Sequence, residues 1–371
     1  MSDLKSSNHM SLLTLILPRE SVSEVSKAIE KIGANGIVQI NARGSVLNEG
    51  GGILNKMFPP PAPEQQILQV LVNNSDQDKI VDAAIQSGNL DKVGAGAVFS
   101  ISCNEVHISS QYPTSIIDGE EEATSSKSGD LEAICCICEI GVAEDIAKAA
   151  LLSGAPGPTV TFGEGGGIRD KIPLLRITKG PEKEFVWCVV EKSESDEIFA
   201  DMARAGRITE PGRGFMYSIP VSSGLINISS TVSSSTHGAN MEQIIAALDD
   251  LKGNKEWRQS LDSNKGKSLK TTYLENLVGV YCIIPRDNYS DVYDAILDSG
   301  APGVSTNFGV MTDSDSEQGQ NEEWALVYTS IGPSGVEDLR NSVTKKITES
   351  GIDRFAFYTL PIPRALTYLG G

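Results

Sequence analysis

The sequence predicts an α+β protein assembled from three tandem βαββαβ units. Three observations carry that expectation. A short helix ending recurs, SGAPG at 153–157 and again at 299–303, with a relative, KIGANG, at 31–36. Each ending follows an amphipathic run that is itself preceded by an apolar, β-rich run. The order strand, helix, strand, strand, helix, strand then appears three times along the 371 residues, and such periodicity marks repeated units.

The opening strands are SLLTLILP at 11–18, LEAICCICEI at 131–140 and LVGVYCIIP at 277–285. The helices that follow place Val22, Val25, Ala28, Ile29 and Ile32 on one face in the first unit. The second unit uses Ile146, Ala149 and Ala150, and the third uses Val292, Ala295 and Ile296. Gly33, Gly154 and Gly300 stop these helices, since glycine takes positive φ without a Cβ penalty and the nearby Pro or Asn discourages continuation. The second strands are GIVQINA, PTVTFG and GVSTNFG; after a long irregular loop come QQILQVLV, EFVWCVVE and EWALVYTSI. Second helices are expected at 76–87, 196–205 and 335–350, and the closing strands are AVFSIS, GFMYSIP and FAFYTLP.

This order fits the ferredoxin-like split βαβ unit, an antiparallel four-stranded sheet with helices on one face. One such unit leaves a sheet face bare, and three packed together cover it. The expectation is therefore three ferredoxin-like domains, at 11–110, 131–230 and 275–371, forming an intramolecular pseudo-trimer in a monomer. Residues 1–10 read as a disordered or non-native leader, 111–130 as an acidic linker, and 231–274 as a linker carrying an amphipathic helix. That helix, NMEQIIAALDDL, either docks on the outside of the sheets or binds a partner.

Composition narrows the function classes. The apolar share is 40% and the charged share 22%, with a formal net charge of -18, which repels nucleic-acid phosphates at long range. No run approaches the roughly 20 apolar residues of a spanning helix, and the first ten residues lack the apolar core of a secretory signal. Six cysteines in a chain this long fit a reducing cytosol. Cys135, Cys136 and Cys138 read as core-strand residues and not as metal ligands, because strand neighbours point to opposite faces and CxxC spacing is absent.

Two glycine-rich stretches are the candidate sites. FGEGGGIRDK holds Gly165, Gly166 and Arg169; AGRITEPGRGF holds Gly206, Arg207, Gly212, Arg213 and Gly214. Backbone N–H groups unobstructed by side chains, with arginines beside them, could hold a polyphosphate; the alternative is an ordinary tight turn. Arginine and glycine coincide only in the second unit, so binding is expected mainly there, with Arg213 foremost.

The second unit, with LSGAPGPTVTFGEGGG and later RAGRITEPGRGFMYSIPV, resembles the PII signal-transduction family. The first unit has a similar skeleton in SGNLDKVGAGAVFSIS, whereas ESGIDRFAFYTLP in the third lacks the glycine-rich loop. The resemblance spans most of the chain outside the linkers. It implies an ATP or ADP effector, with cyclic AMP as the alternative, bound between units by the base of the long loop and the glycine-rich turn. It further implies Thr159 as a site residue, with Arg43, Gly44, Gly94 and Gly96 as first-unit contributors. It also implies a regulated target protein, a membrane transport protein first and an enzyme second, contacted by the long loops; Met57 and Phe58 are the anchors expected in the first. The alternative is an interaction scaffold of the same shape without a ligand.

The chain departs from the family pattern. The Arg-x-Arg pair after the last strand is missing, Ala97 stands where a phosphate-binding lysine is expected, and the third loop, MTDSDSEQGQNEE, is acidic. That loop lacks the Gly and Glu positions of a calcium-binding EF loop. The tyrosine modified in many relatives has no counterpart in the first two loops. His9, His107 and His237 sit at no catalytic motif spacing, and no enzyme is expected.

Overall fold

The structure is a computed structural model, and it describes residues 4–45, 47–48, 62–114, 116, 130–167, 182–228, 231–232, 272–312 and 321–369. The first third contains β1 (Lys5–Ser7), β2 (Met10–Pro18), α1 (Val22–Glu30), β3 (Val38–Gly44), β4 (Leu47–Asn48), β5 (Glu64–Asn73), α2 (Gln77–Gly88), β6 (Gly96–Ser102) and β7 (Glu105–Ile108). The second contains β8 (Leu131–Glu139), α3 (Ala143–Leu152), β9 (Thr159–Gly167), β10 (Glu182–Glu191), α4 (Ser195–Ala205), β11 (Gly214–Val221), β12 (Ser223–Asn227) and β13 (Thr231–Val232). The last contains β14 (Leu274–Pro285), α5 (Tyr289–Asp298), β15 (Gly303–Thr312), β16 (Asn321–Ile331), α6 (Val336–Glu349) and β17 (Ala356–Thr367).

The helix stops are where the sequence puts them. Gly33, Gly154 and Gly300 have φ of +102°, +96° and +91°, and a Cβ at any of them would meet nothing within 4 Å. The requirement at these three positions is conformational and not steric.

Alternation along the opening strands explains why they are apolar throughout. In β2, Leu13, Leu15 and Leu17 face a core shared with α1 and α2, while Leu12 and Ile16 face a second core on the other side of the sheet. β8 divides in the same way: Ile134, Cys136 and Cys138 pack toward α3 and α4, and Ala133, Cys135 and Ile137 point inward. In β14, Val280, Cys282 and Ile284 pack toward α5 and α6, and Tyr281 and Ile283 point inward. Strands covered on both faces lose the apolar–polar alternation of a half-exposed sheet. All six cysteines are free and buried.

The strands pair in the orders β3-β5-β2-β6, β9-β10-β8-β11 and β15-β16-β14-β17. They do not stop at those groups of four. Gly163 to Gly167 of β9 lie against β15, Val310 and Met311 of β15 against β3, and Ala42 to Gly44 of β3 against β9. β11 pairs β17, β17 pairs β7, and β6 pairs β12. Following β9, β10, β8, β11, β17, β14, β16, β15 and β3 returns to β9, a closed nine-stranded antiparallel barrel with the remaining strands added to it.

This corrects the expected fold class. The chain does not form three ferredoxin-like domains assembled as a pseudo-trimer; one continuous sheet closes on itself. The physical reason is the strand edge. A free-standing four-stranded unit leaves rows of unpaired N–H and C=O groups, and closure removes them. The inward core draws on every part of the chain, including Phe185, Tyr217, Tyr281, Trp324 and Tyr358.

Two smaller expectations also change. Part of the leader forms β1, which pairs with β7, and Tyr112 at the start of the acidic linker is buried. The amphipathic run at 240–251 lies outside the described residues.

Candidate effector cleft

The pairing of β3 with β9 sets Arg43 opposite Val160 and Gly44 opposite Thr159. From there Arg43 reaches the start of α3: its Nη1 donates to Glu144 Oε2 at 2.9 Å, and its Nη2 lies 3.7 Å from Glu184 Oε1. The guanidinium also stands 5.9 Å from the ring centre of Phe162, a half-exposed aromatic on β9.

Glu184 is the least expected member of this group. Its residue is 5% exposed, and Oε2 accepts hydrogen bonds from the backbone N–H of Gly141 at 2.8 Å and of Ala143 at 3.0 Å. A helix N-terminus attracts an anion through its unmet N–H groups. Here the protein supplies that anion from β10, and Arg43 balances it.

Thr159 is fully buried and donates from Oγ1 to Gln65 Oε1 at 3.0 Å. The same Gln65 carboxamide lies over Gly44, where an added Cβ would come within 3.0 Å of Nε2. Thr159, Gly44 and Gln65 thus lock β3, β5 and β9 together beside Arg43. Gly165 and Gly166 are not in a loop: they pair in register with Ser305 and Val304 of β15. Arg169, Met57 and Phe58 lie outside the described residues.

The glycine-rich turn between α4 and β11 does bring Gly206, Arg207, Gly212, Arg213 and Gly214 together, but its cations turn onto neighbouring acids. Arg207, at φ +53°, donates from Nε to Glu210 Oε1 at 2.7 Å. Arg213 Nη1 lies 3.5 Å from Glu139 and its Nε 3.8 Å from Glu210. Gly214 is held by crowding, since a Cβ there would sit 2.0 Å from the Ile137 carbonyl oxygen. Gly94 and Gly96 belong to a different place, against β12: the Gly94 N–H donates to the Asn227 carbonyl at 2.7 Å, and Gly96 is in register with Asn227.

The two arginine clusters share one sheet. Gly214 is in register with Cys138, Cys138 with Glu184, and Glu184 with Phe162. Three inter-strand steps separate the turn from β9, about 14 Å. Sequence reading missed Glu144, Gln65 and Glu184. The available signal for Glu184 is an acid directly before the apolar run FVWCVV of β10.

Thiol chemistry has little footing here. Burial pushes the Cys103, Cys138, Cys188 and Cys282 thiols up to about 12, and Cys135 and Cys136 well above their ordinary value. Neutral thiols are poor nucleophiles. Among the described residues no helix is long and apolar enough to cross a membrane.

No protein-family model and no curated protein matches the chain. Solved structures with some similarity include a Bacillus cereus protein related to NIF3, at 21% identity over 27% of this chain and 30% of that one, with a TM-score of 0.20. Aspartate kinase from Synechocystis aligns at 7% identity over 97% of this chain and 53% of that one, with a TM-score of 0.22. A microcompartment protein from Desulfitobacterium hafniense DCB aligns at 13% identity over 59% and 94%, with a TM-score of 0.18. The chain spans about a third of the first of these proteins and about half of the second. At such scores none of them carries an argument about function.

Proposed function

We propose that this chain is a PII-like regulatory protein that senses a small anionic effector, an adenine nucleotide, and acts on a target protein through its long loops. The observation that carries the reading is Arg43, which crosses from β3 to the start of α3 on the same sheet that bears the arginine-rich turn before β11. An effector laid between Arg43 and Arg213 would couple two distant parts of the chain and the two long loops that follow β3 and β9. Its phosphates would displace Glu144 from Arg43 at small cost, because Glu144 is largely exposed and such ion pairs are weak. The target is a membrane transport protein by the same resemblance, or, second, an enzyme.

Calorimetric titration with ATP, ADP and cyclic AMP tests this. Binding that weakens about tenfold or more in both Arg43→Ala and Arg213→Ala supports the cleft. Binding indifferent to both places the site elsewhere.

One observation favours a second reading, an interaction scaffold without a ligand. Arg43, Arg207 and Arg213 all already meet glutamates, and buried Glu184 takes the α3 N-terminus that a phosphate would use. Absence of heat with all three nucleotides, together with loss of target capture on deleting residues 54–61, selects the scaffold.

A further inference from the structure

The inward core holds a cavity of about 30 Å³ where side chains from all three parts of the chain meet, among them Thr14, Gln69, Thr161, Asn307 and Tyr328. Its walls are mostly apolar, yet two polar atoms point into it without a protein partner, Thr14 Oγ1 and Gln69 Oε1. Both residues are more than nine-tenths buried, at 4% and 8% exposure. They are direct cross-strand partners on β2 and β5, so their side chains leave the sheet on the same face. Across the cavity the polar groups are met: Asn307 Nδ2 donates to the Phe162 carbonyl at 3.1 Å and to Thr161 Oγ1 at 3.3 Å, and Tyr328 Oη donates to Asn307 Oδ1 at 3.2 Å.

We propose that this cavity is a built internal hydration site whose ligand is water, bound between Thr14 and Gln69. A buried acceptor with no partner is costly, and a small polar space beside it is where proteins keep ordered water. The volume matches: a water needs about 10–15 Å³, so the site takes about two. One donates to Gln69 Oε1 and accepts from the Thr14 hydroxyl. The Thr161 hydroxyl, which already accepts from Asn307, keeps its own proton to donate to the second. The site does not depend on the effector reading, since it lies on the inner face of the sheet and Glu184 and the α3 N-terminus lie on the outer one.

The test uses the full chain with labelled methyl groups. Cross-relaxation between long-lived water and the methyls of Leu12, Ile40 and Leu326 is expected in the native protein. It is expected to disappear in Thr14→Val/Gln69→Leu, where xenon under pressure should instead shift the same methyl resonances. The single Thr14→Val variant, nearly isosteric, serves if the double variant does not fold, and should lose at least half of the water signal. A native protein that shows no water contact at these methyls, or whose methyls shift under xenon, has a dry cavity and overturns the proposal.

Discussion

Arg364 on β17 donates to Glu132 on β8 at 3.1 Å, joining residues 232 positions apart with about 85% of each side chain out of solvent. The same guanidinium reaches Ser195 Oγ at 2.7 Å, pairs with Asp196, and lies 4.3 Å from the ring centre of Phe199. This cluster pins the last strand to the start of α4.

Arg364→Ala should therefore leave a shielded carboxylate without its cation and lower stability by about 3 kcal/mol. Arg364→Lys keeps the charge but not the forked geometry, and should lose less. Urea unfolding of the three proteins checks the order; equal midpoints would mean the cluster is idle.

Two kinds of glycine should respond differently to alanine. At Gly33, Gly154 and Gly300 the space is open and only the positive φ is unfavourable, so each substitution should cost roughly 1–2 kcal/mol. At Gly163 a Cβ would fall 2.1 Å from the Thr306 carbonyl oxygen, backbone against backbone. Gly163→Ala must force β9 and β15 apart and should lower the thermal midpoint far more than any of the three helix-stop variants.

The thiols give a pH signature. Their folded values are raised toward about 12 for Cys103, Cys138, Cys188 and Cys282, against an ordinary value near 9.0. The native state thus holds protons that the unfolded state releases, so the stabilisation is full below about pH 9 and is lost as pH climbs toward 12. Each such thiol contributes up to about 1.4 kcal/mol per pH unit within that window. Denaturant midpoints measured from pH 7 upward should stay level and then fall. In parallel, a thiol reagent should label none of the six cysteines in the native protein and all six after unfolding.

Glu184→Ala should expose the N–H groups of Gly141 and Ala143 and lower stability by about 2 kcal/mol. It should also convert the start of α3 into a better anion site, so the nucleotide affinity proposed above should rise in the variant. A fall in affinity would show that Glu184 orders the cleft instead of guarding it.

Local chemistry made part of this molecule legible. The helix stops follow from what glycine alone tolerates, and the doubly buried strands follow from unbroken apolar runs such as LEAICCIC. Ring closure was not legible, because the pairings of β3, β9 and β15 join strand ends far apart in sequence, and the local mark at Gly163 looks like any other glycine. At the candidate site, Arg43 could be read as a candidate cation. The structural duty of Thr159 could not, since it depends on Gln65 arriving from another strand. Gly165 and Gly166 looked like loop residues because glycine seldom signals a strand, and here they serve close pairing with β15.

The route of β17 has a consequence for biogenesis. This strand hydrogen-bonds with β14, β11 and β7, and Ser109 Oγ donates to the Phe355 carbonyl across 246 residues of chain. The edges of β11, β14 and β7 that β17 covers stay open until this strand has docked. Partly folded molecules that lack β17 are thus exposed to edge-to-edge aggregation, and ring closure is governed by one long-range event.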